Sequence, residues 1–238
     1  MHTPWQERTR LLLGESRADR LARASVLIVG TGGVGAYAAE LLCRAGVGRL
    51  VLVDADTVSA SNINRQLPAL HSTVGLPKVD VLARRFRDIN PALDLDVRRV
   101  FLNPEDMAPL LESEAFDFIV DAIDSVASKC ALLAAALRRG VRIVSSMGAG
   151  AKTDVTQVRL ADLWKTYHCP LAKAVRQRLS RDGLRGRRLP VVFSAQPPDR
   201  HAIVPVEGEA GKRTTTGTVS YMPATFGCFL AGYVVEHL

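Results

Sequence analysis

Two periodicities alternate along the first 150 residues. Short apolar runs without polar interruption are followed by stretches whose apolar residues recur every three or four positions, the signals of buried strands and of helices. Ser25 to Val29 (SVLIV) is such a run and ends in Gly30; Arg49 to Val53 (RLVLV) is a second and ends in Asp54. Between them, Gly33 to Ala45 reads as a helix closed by Gly46. Lys78 to Asn90 is predicted helical from Val79, Leu82, Phe86 and Ile89, and stops before Pro91. Asp94 to Phe101 reads as a third strand, and Asn103-Pro104 as the cap and first residue of a short helix. Phe116 to Ile123 is a fourth strand, Ser125 to Arg139 a helix closed by Gly140, and Val141 to Met147 a fifth strand. Strands that are apolar on both faces belong to parallel sheets covered by helices on both sides, so the pattern predicts a doubly wound, mostly parallel α/β sheet.

After Gly150 the rhythm changes. Strand-like pieces at Val155 to Leu160, Val191 to Ala195 and His201 to Val206 surround one basic helix, Pro170 to Asp182, whose apolar face is Leu171, Ala174, Val175 and Leu179. No repeat or long linker separates the halves. A single domain over 1–238 is expected, in which 151–238 extends the sheet of 1–150 by antiparallel strands and helices. Thr214 to Val235 carries no charge, yet Gly217, Ser220, Pro223, Gly227 and Gly232 interrupt it. It reads as a buried core helix beginning near Pro223 rather than a membrane span, so no membrane insertion is expected.

Hydrophobic residues at 47% and charged residues at 23% of 238 exclude a disordered or low-complexity chain. The four cysteines (Cys43, Cys130, Cys169, Cys228) form no CxxC pair, which argues against a zinc ribbon or disulfide framework and for a reducing cytoplasm. Glu7, Arg8 and Arg10 interrupt the stretch where an export signal would need an apolar core. The net charge of +7 is unevenly placed: residues 1–150 hold 18 Lys and Arg against 17 Asp and Glu, residues 151–238 hold 13 against 7. Between Lys165 and Arg188 there are eight basic residues and one acid, Asp182. Such a run attracts a polyanion, or else forms a solvated face with no partner.

The chemistry begins at Gly30-Thr31-Gly32-Gly33-Val34-Gly35, which follows a strand and opens a helix. In that Rossmann-like context a glycine-rich turn lets phosphates approach the backbone and the free N–H groups of a helix N-terminus. Asp54, 19 residues after Gly35, stands where a ribose-binding acid belongs. These features suit NAD as well as ATP. The rest favours ATP, since the five histidines form no catalytic grouping for hydride transfer while polar groups suited to a triphosphate are in surplus. Asp54 and Asp56 end one strand; Asn62, Asn64, Arg65 and Gln66 follow in a loop; Lys78 begins a helix; Asp121 and Asp124 end the fourth strand, with Lys129 beyond. Asp121 and Asp124, three apart, are expected to face one cleft and hold a hydrated Mg²⁺. Taken singly, each of these residues also fits a helix cap or a surface charge.

GTGGVG, then DAD, SNINRQ, Lys78 and DAIDS resembles the ubiquitin-activating-enzyme-like superfamily of ATP-dependent carboxylate-adenylylating enzymes, over roughly residues 10–150. Further on, SSMGAGAKTDVTQV, HCPLAKAVRQRLSR, VVFS and ATFG are similar to one branch, the tRNA threonylcarbamoyladenosine dehydratases, from which Cys169 is a departure. The resemblance implies ATP and Mg²⁺ as cofactors. It implies that Gly30, Gly32, Gly33, Gly35, Asp54, Asp56, Asn62, Arg65, Gln66, Lys78, Asp121, Asp124 and Ser125 bind the nucleotide, with Asp124 anchoring the metal. Arg10, Arg65, Lys78 and Asp124 would be catalytic, Arg10 by reaching the phosphates of a partner subunit, which makes a homodimer expected.

The expected reaction is ATP-dependent dehydration of threonylcarbamoyladenosine beside the tRNA anticodon, through adenylylation of the threonyl carboxylate. Lys173, Arg176, Arg181, Arg185, Arg187 and Arg188 would then contact tRNA phosphates, with no DNA partner expected. A cysteine-desulfurase or sulfur-acceptor system is admitted as a further partner. The alternative within the superfamily is an adenylyltransferase for the C-terminus of a ubiquitin-like sulfur carrier, whose members often carry paired CxxC motifs and a nucleophilic cysteine. Here Cys43 and Cys130 fall in predicted helices as small apolar residues, and Cys169 is the sole candidate nucleophile.

Overall fold

The computed structural model describes residues 4–205 and 214–238. Two helices open the chain, α1 (Glu7–Leu13) and α2 (Glu15–Arg23), followed by β1 (Ser25–Val29), α3 (Gly35–Ala45) and β2 (Arg49–Val53). Next come α4 (Lys78–Ile89), β3 (Asp94–Arg98), α5 (Met107–Ser113), β4 (Phe118–Asp121), α6 (Val126–Arg139) and β5 (Ile143–Ser146). The second part contributes β6 (Val158–Asp162), α7 (Pro170–Arg181), β7 (Pro190–Ser194), β8 (Ile203–Pro205), β9 (Thr214–Thr216) and α8 (Tyr221–His237).

The seven-stranded sheet runs in the order β3-β2-β1-β4-β5-β7-β6. Every neighbour is parallel except β6, which runs antiparallel to β7 at one edge. Period-two alternation explains the apolar runs. Val26, Ile28, Leu50 and Leu52 point into one core with α2, α3, α4 and α8. Leu27, Val29, Val51 and Val53 point into the other with α5, α6 and α7. A strand sandwiched between two helical layers has no solvent face to make polar.

Thus α8 is a core helix, and among the described residues no helix is long and apolar enough to cross a membrane. It lies so close to α3 that a Cβ on Gly227 would fall 2.7 Å from Tyr37 Cβ and 2.8 Å from the Val34 carbonyl oxygen. Three expectations need correction. The third strand ends at Arg98 instead of Phe101, because β3 is the sheet edge and Phe101 is left exposed. The piece from Val155 begins as a 3-10 turn, since the Asp154 carboxylate accepts the Thr156 N–H at 2.9 Å, and becomes a strand only at Val158. The piece from His201 does not extend the main sheet: β8 pairs with β9 in a separate two-stranded ribbon, and Val206 lies outside the described residues.

Candidate active site

The chain leaves β1 toward β2 on one side and returns to β4 on the other, so the sheet order reverses between β1 and β4. A crevice opens there, beyond the carboxyl ends of the strands, where open α/β sheets bind ligands. The loops leaving the two strands touch backbone to backbone. Gly30 has φ +89°, and a Cβ on it would lie 2.7 Å from the Ala122 oxygen; one on Gly35 would lie 1.8 Å from the Gly30 oxygen. Only glycine permits this closeness. The first turn of α3 therefore opens directly onto the crevice, presenting free N–H groups and partial positive charge. Gly32 and Gly33 lie partly exposed on the loop between them.

Asp54 fastens that loop. Its Oδ2 accepts the Thr31 N–H at 2.6 Å and the Thr31 hydroxyl at 3.0 Å, while Oδ1 accepts the Asp56 N–H at 2.8 Å. A carboxylate has about four acceptor positions. One on Oδ1 is left open toward the crevice among the described residues.

The segment 59–66 folds over the phosphate loop. Asn62 Oδ1 accepts the Ser59 N–H at 3.1 Å, and Arg65 Nη1 donates to the Ser61 oxygen at 2.8 Å and to Asn64 Oδ1 at 2.9 Å. Asn64 in turn donates to the Thr218 oxygen at 3.0 Å, tying the turn to the residues before α8. The Gln66 amide lies against Gly32, and its buried Oε1 has no hydrogen-bond partner among the described residues. Lys78, at the start of α4, is buried and places Nζ 2.6 Å from Oδ2 of the exposed Asp56. Asp56 therefore acts on this cation first.

The expectation that Asp121 and Asp124 share the cleft is corrected. Asp121 turns inward: its Oδ2 accepts from Lys129 Nζ at 2.6 Å and from the Ser145 hydroxyl at 2.5 Å, and its Oδ1 from the Ile123 N–H at 3.1 Å. Lys129, grouped by sequence with the polar residues suited to a triphosphate, is likewise fully buried. Strand pairing decides this, because Asp121 is the last residue of β4 in register with Ser145 of β5, where its side chain meets the covering helix α6. Asp124 is exposed and makes no hydrogen bond or ion pair among the described residues, and the buried Ser125 hydroxyl beside it has no partner. One free carboxylate with a neighbouring hydroxyl suits Mg²⁺, which takes few protein ligands and completes its shell with water and phosphate oxygens. It does not suit a structural zinc site, and no cluster of three or more His, Cys, Asp or Glu occurs among the described residues.

The basic residues occupy the other half of the chain. Lys173, Arg181, Arg185, Arg187 and Arg188 are exposed on α7 and the loop after it, whereas Arg176 is half-buried and donates to the Thr166 hydroxyl. Cys169 is buried at the N-cap of α7, where its Sγ accepts the Ala172 N–H at 3.5 Å. Nearby, Lys152 Nζ donates to the Ser194 oxygen at 2.7 Å and the His168 oxygen at 3.1 Å, and burial holds its ammonium below the ordinary 10.5. Burial also pushes the Cys43 and Cys130 thiols up to about 11, as for small core residues. Arg10 is engaged by Glu15 and by Asp19, the latter at 3.0 Å, within its own chain.

A sequence profile of the ThiF family matches residues 6–238. The chain is 37% identical over 238 residues to the tRNA threonylcarbamoyladenosine dehydratase of Bacillus subtilis, covering 97% of this chain and 93% of that one. It is 42% identical over 181 residues to the Escherichia coli protein of the same name, covering 75% and 67%. The crystal structure of an E. coli tRNA N6-threonylcarbamoyladenosine dehydratase in complex with ATP superposes with a TM-score of 0.88 at 35% identity, over 99% of this chain and 95% of that one. Glycine-loop crevice, sheet order and full-length similarity agree: the chain belongs to the ThiF family.

Proposed function

We propose that this protein uses ATP to dehydrate threonylcarbamoyladenosine in tRNA, beside the anticodon, by adenylylating the threonyl carboxylate. The observation that carries the reading is the phosphate crevice between β1 and β4, set in a fold that matches an ATP-bound dehydratase over nearly its whole length. The carboxylate attacks the α-phosphate, pyrophosphate leaves, and a group of the same substituent then attacks the activated carbonyl. The attacking group loses its proton, AMP leaves with the carboxylate oxygen, and the nucleoside is lighter by one water.

Two anions must meet in the first step, so the chain's task is to neutralise and orient them. The α3 N-terminus and the loop 30–35 receive phosphates on backbone N–H groups, and Asp54 offers its remaining acceptor position to the ribose. Arg65, Lys78 and Asn62 line the same rim, with Asp56 and Gln66 holding the cation and the loop in place. Asp124 and Ser125 would hold Mg²⁺, which supplies charge neutralisation on the phosphates when bound. The exposed basic residues of α7 and the loop after it hold tRNA phosphates. In a homodimer, Arg10 would serve the neighbouring crevice. A tRNA substrate and the absence of disulfides among the described cysteines support a cytoplasmic setting.

Isotope exchange between pyrophosphate and ATP tests the adenylylation step. Exchange is expected to require tRNA carrying threonylcarbamoyladenosine. Exchange that instead requires a Gly-Gly-terminated carrier protein would transfer the site to the sulfur-carrier reaction.

A further inference from the structure

A cavity of about 590 Å³ lies away from the crevice, lined by Trp164, Arg176, Gln177, Ser180, Arg181 and Arg185 among others. Its size falls within the roughly 300–1,000 Å³ of small-molecule sites. We propose that it is a subsite for a second, unreacting nucleotide of the RNA, whose unstacked base lies on the Trp164 ring while Arg181 and Arg185 hold its phosphates. The inference rests on the tRNA reading above and adds a single-stranded nucleotide to it.

Trp164 is placed for this by its own polar contacts. The Asp162 carboxylate accepts its backbone N–H at 3.0 Å, and its indole Nε1 donates to the Arg187 oxygen at 2.8 Å. With the N–H taken by the chain itself, the half-buried ring, which also packs on the core, offers its remaining apolar surface to the cavity. Arg181 and Arg185 make no hydrogen bond or ion pair among the described residues, so their charge is free for a ligand. The single acid of the segment, Asp182, faces Arg178 at 3.5 Å. An aromatic plane flanked by unpaired guanidinium groups suits a base with its anionic backbone, and single-stranded RNA presents such bases where a duplex hides them.

The position separates this nucleotide from the reacting one. β6 runs antiparallel, so its last residue, Asp162, pairs with Pro190 at the start of β7, on the opposite side of the sheet from the crevice. Cys169, the N-cap of α7, lies against Gly148 beyond the end of β5, and the 12 residues of the helix run about 18 Å down to the cavity. The basic helix thus links the two ends, and a bound RNA would follow it.

The chain has two tryptophans, so Trp5→Phe leaves Trp164 as the sole indole reporter. In that protein, a single-stranded RNA hexamer is expected to quench the fluorescence saturably, and the same hexamer annealed to its complement is expected not to. Trp164→Leu should weaken tRNA binding about fivefold or more, Trp164→Phe should retain most of it, and ATP binding should be unchanged in both. Equal quenching by single strand and duplex, equal quenching by an acidic peptide, or tRNA binding indifferent to Trp164 would each overturn the subsite while leaving the tRNA reading intact. Failure of the Trp5→Phe protein to bind tRNA at all would remove the wider reading and the subsite with it.

Discussion

Lys129 Nζ lies 2.6 Å from Asp121 Oδ2, and neither side chain is reached by solvent. The pair joins α6 to the ends of β4 and β5, with the Ser145 hydroxyl and the Ser146 oxygen completing the ammonium's contacts at 3.2 and 2.9 Å. Because Asp121 Oδ1 also holds the Ile123 N–H, the pair fixes the path of the loop that carries Asp124 and Ser125. An ion pair buried this way supports the site through a rigid floor.

Removing one partner strands a buried charge. Lys129→Met should therefore cost about 3–5 kcal/mol of stability, read from urea unfolding. Pairing it with Asp121→Leu should recover part of that loss, yet activity should stay low because Ile123 has lost its acceptor. Equal stability of the single variant and the parent would show that the Lys129–Asp121 pair does not hold this floor together.

Asp124 presents the opposite case. It is exposed and unpartnered, so Asp124→Ala should leave stability within about 0.5 kcal/mol while abolishing turnover. More than a tenth of the parent's activity at saturating Mg²⁺ would end its assignment to the metal.

Arg65→Ala and Lys78→Ala should each lose about 2–4 kcal/mol of transition-state stabilisation, the scale of one preorganised electrostatic contact. Comparing kcat/KM for ATP with the parent reads this directly. Lys78→Ala also leaves Asp56 without its cation partner, so its nucleotide affinity should fall further than that of Asp56→Asn. Parental rates in both alanine variants would remove these residues from the phosphate site.

The Glu40 carboxylate, on α3, carries a pH prediction. Burial pulls its pKa up, but hydrogen bonds from Arg85 and Arg44 outweigh this and hold it below its ordinary 4.5. A depressed folded pKa contributes stability that is complete above the unfolded value and is lost as pH falls through the folded one. The parent's urea midpoint should therefore drop from about pH 4.5 downward, and Glu40→Gln should show a shallower drop from a lower plateau. Parallel profiles would mean the arginines do not stabilise the charged form.

Much of this architecture is legible in the chain because burial on two faces leaves a plain mark. β1 and β2 begin and end where their apolar runs do, since every residue after the first is enclosed. Edges are harder: β3 has a half-exposed pattern, and nothing in Arg99-Val100-Phe101 announces that pairing has stopped. α2 buries only Ala18 and Leu21, too little apolar surface to stand out among its charges. Asp54, Asp56, Arg65 and Lys78 are marked as a group by their neighbours in sequence, but the inward turn of Asp121 depends on its register with β5 and on Lys129, two relationships that spacing does not carry. Nothing in the sequence around Trp164 links it to Arg181 and Arg185, which only the fold brings beside it.

ATP is expected to drive loss of water from a tRNA nucleoside. Incubating the protein with ATP, Mg²⁺ and tRNA bearing threonylcarbamoyladenosine, then digesting the tRNA and weighing its nucleosides by mass spectrometry, tests it most directly. The expected product is a nucleoside lighter by one water, formed in step with AMP and absent with Asp124→Ala. An unchanged nucleoside in the presence of ATP hydrolysis to AMP and pyrophosphate would contradict it.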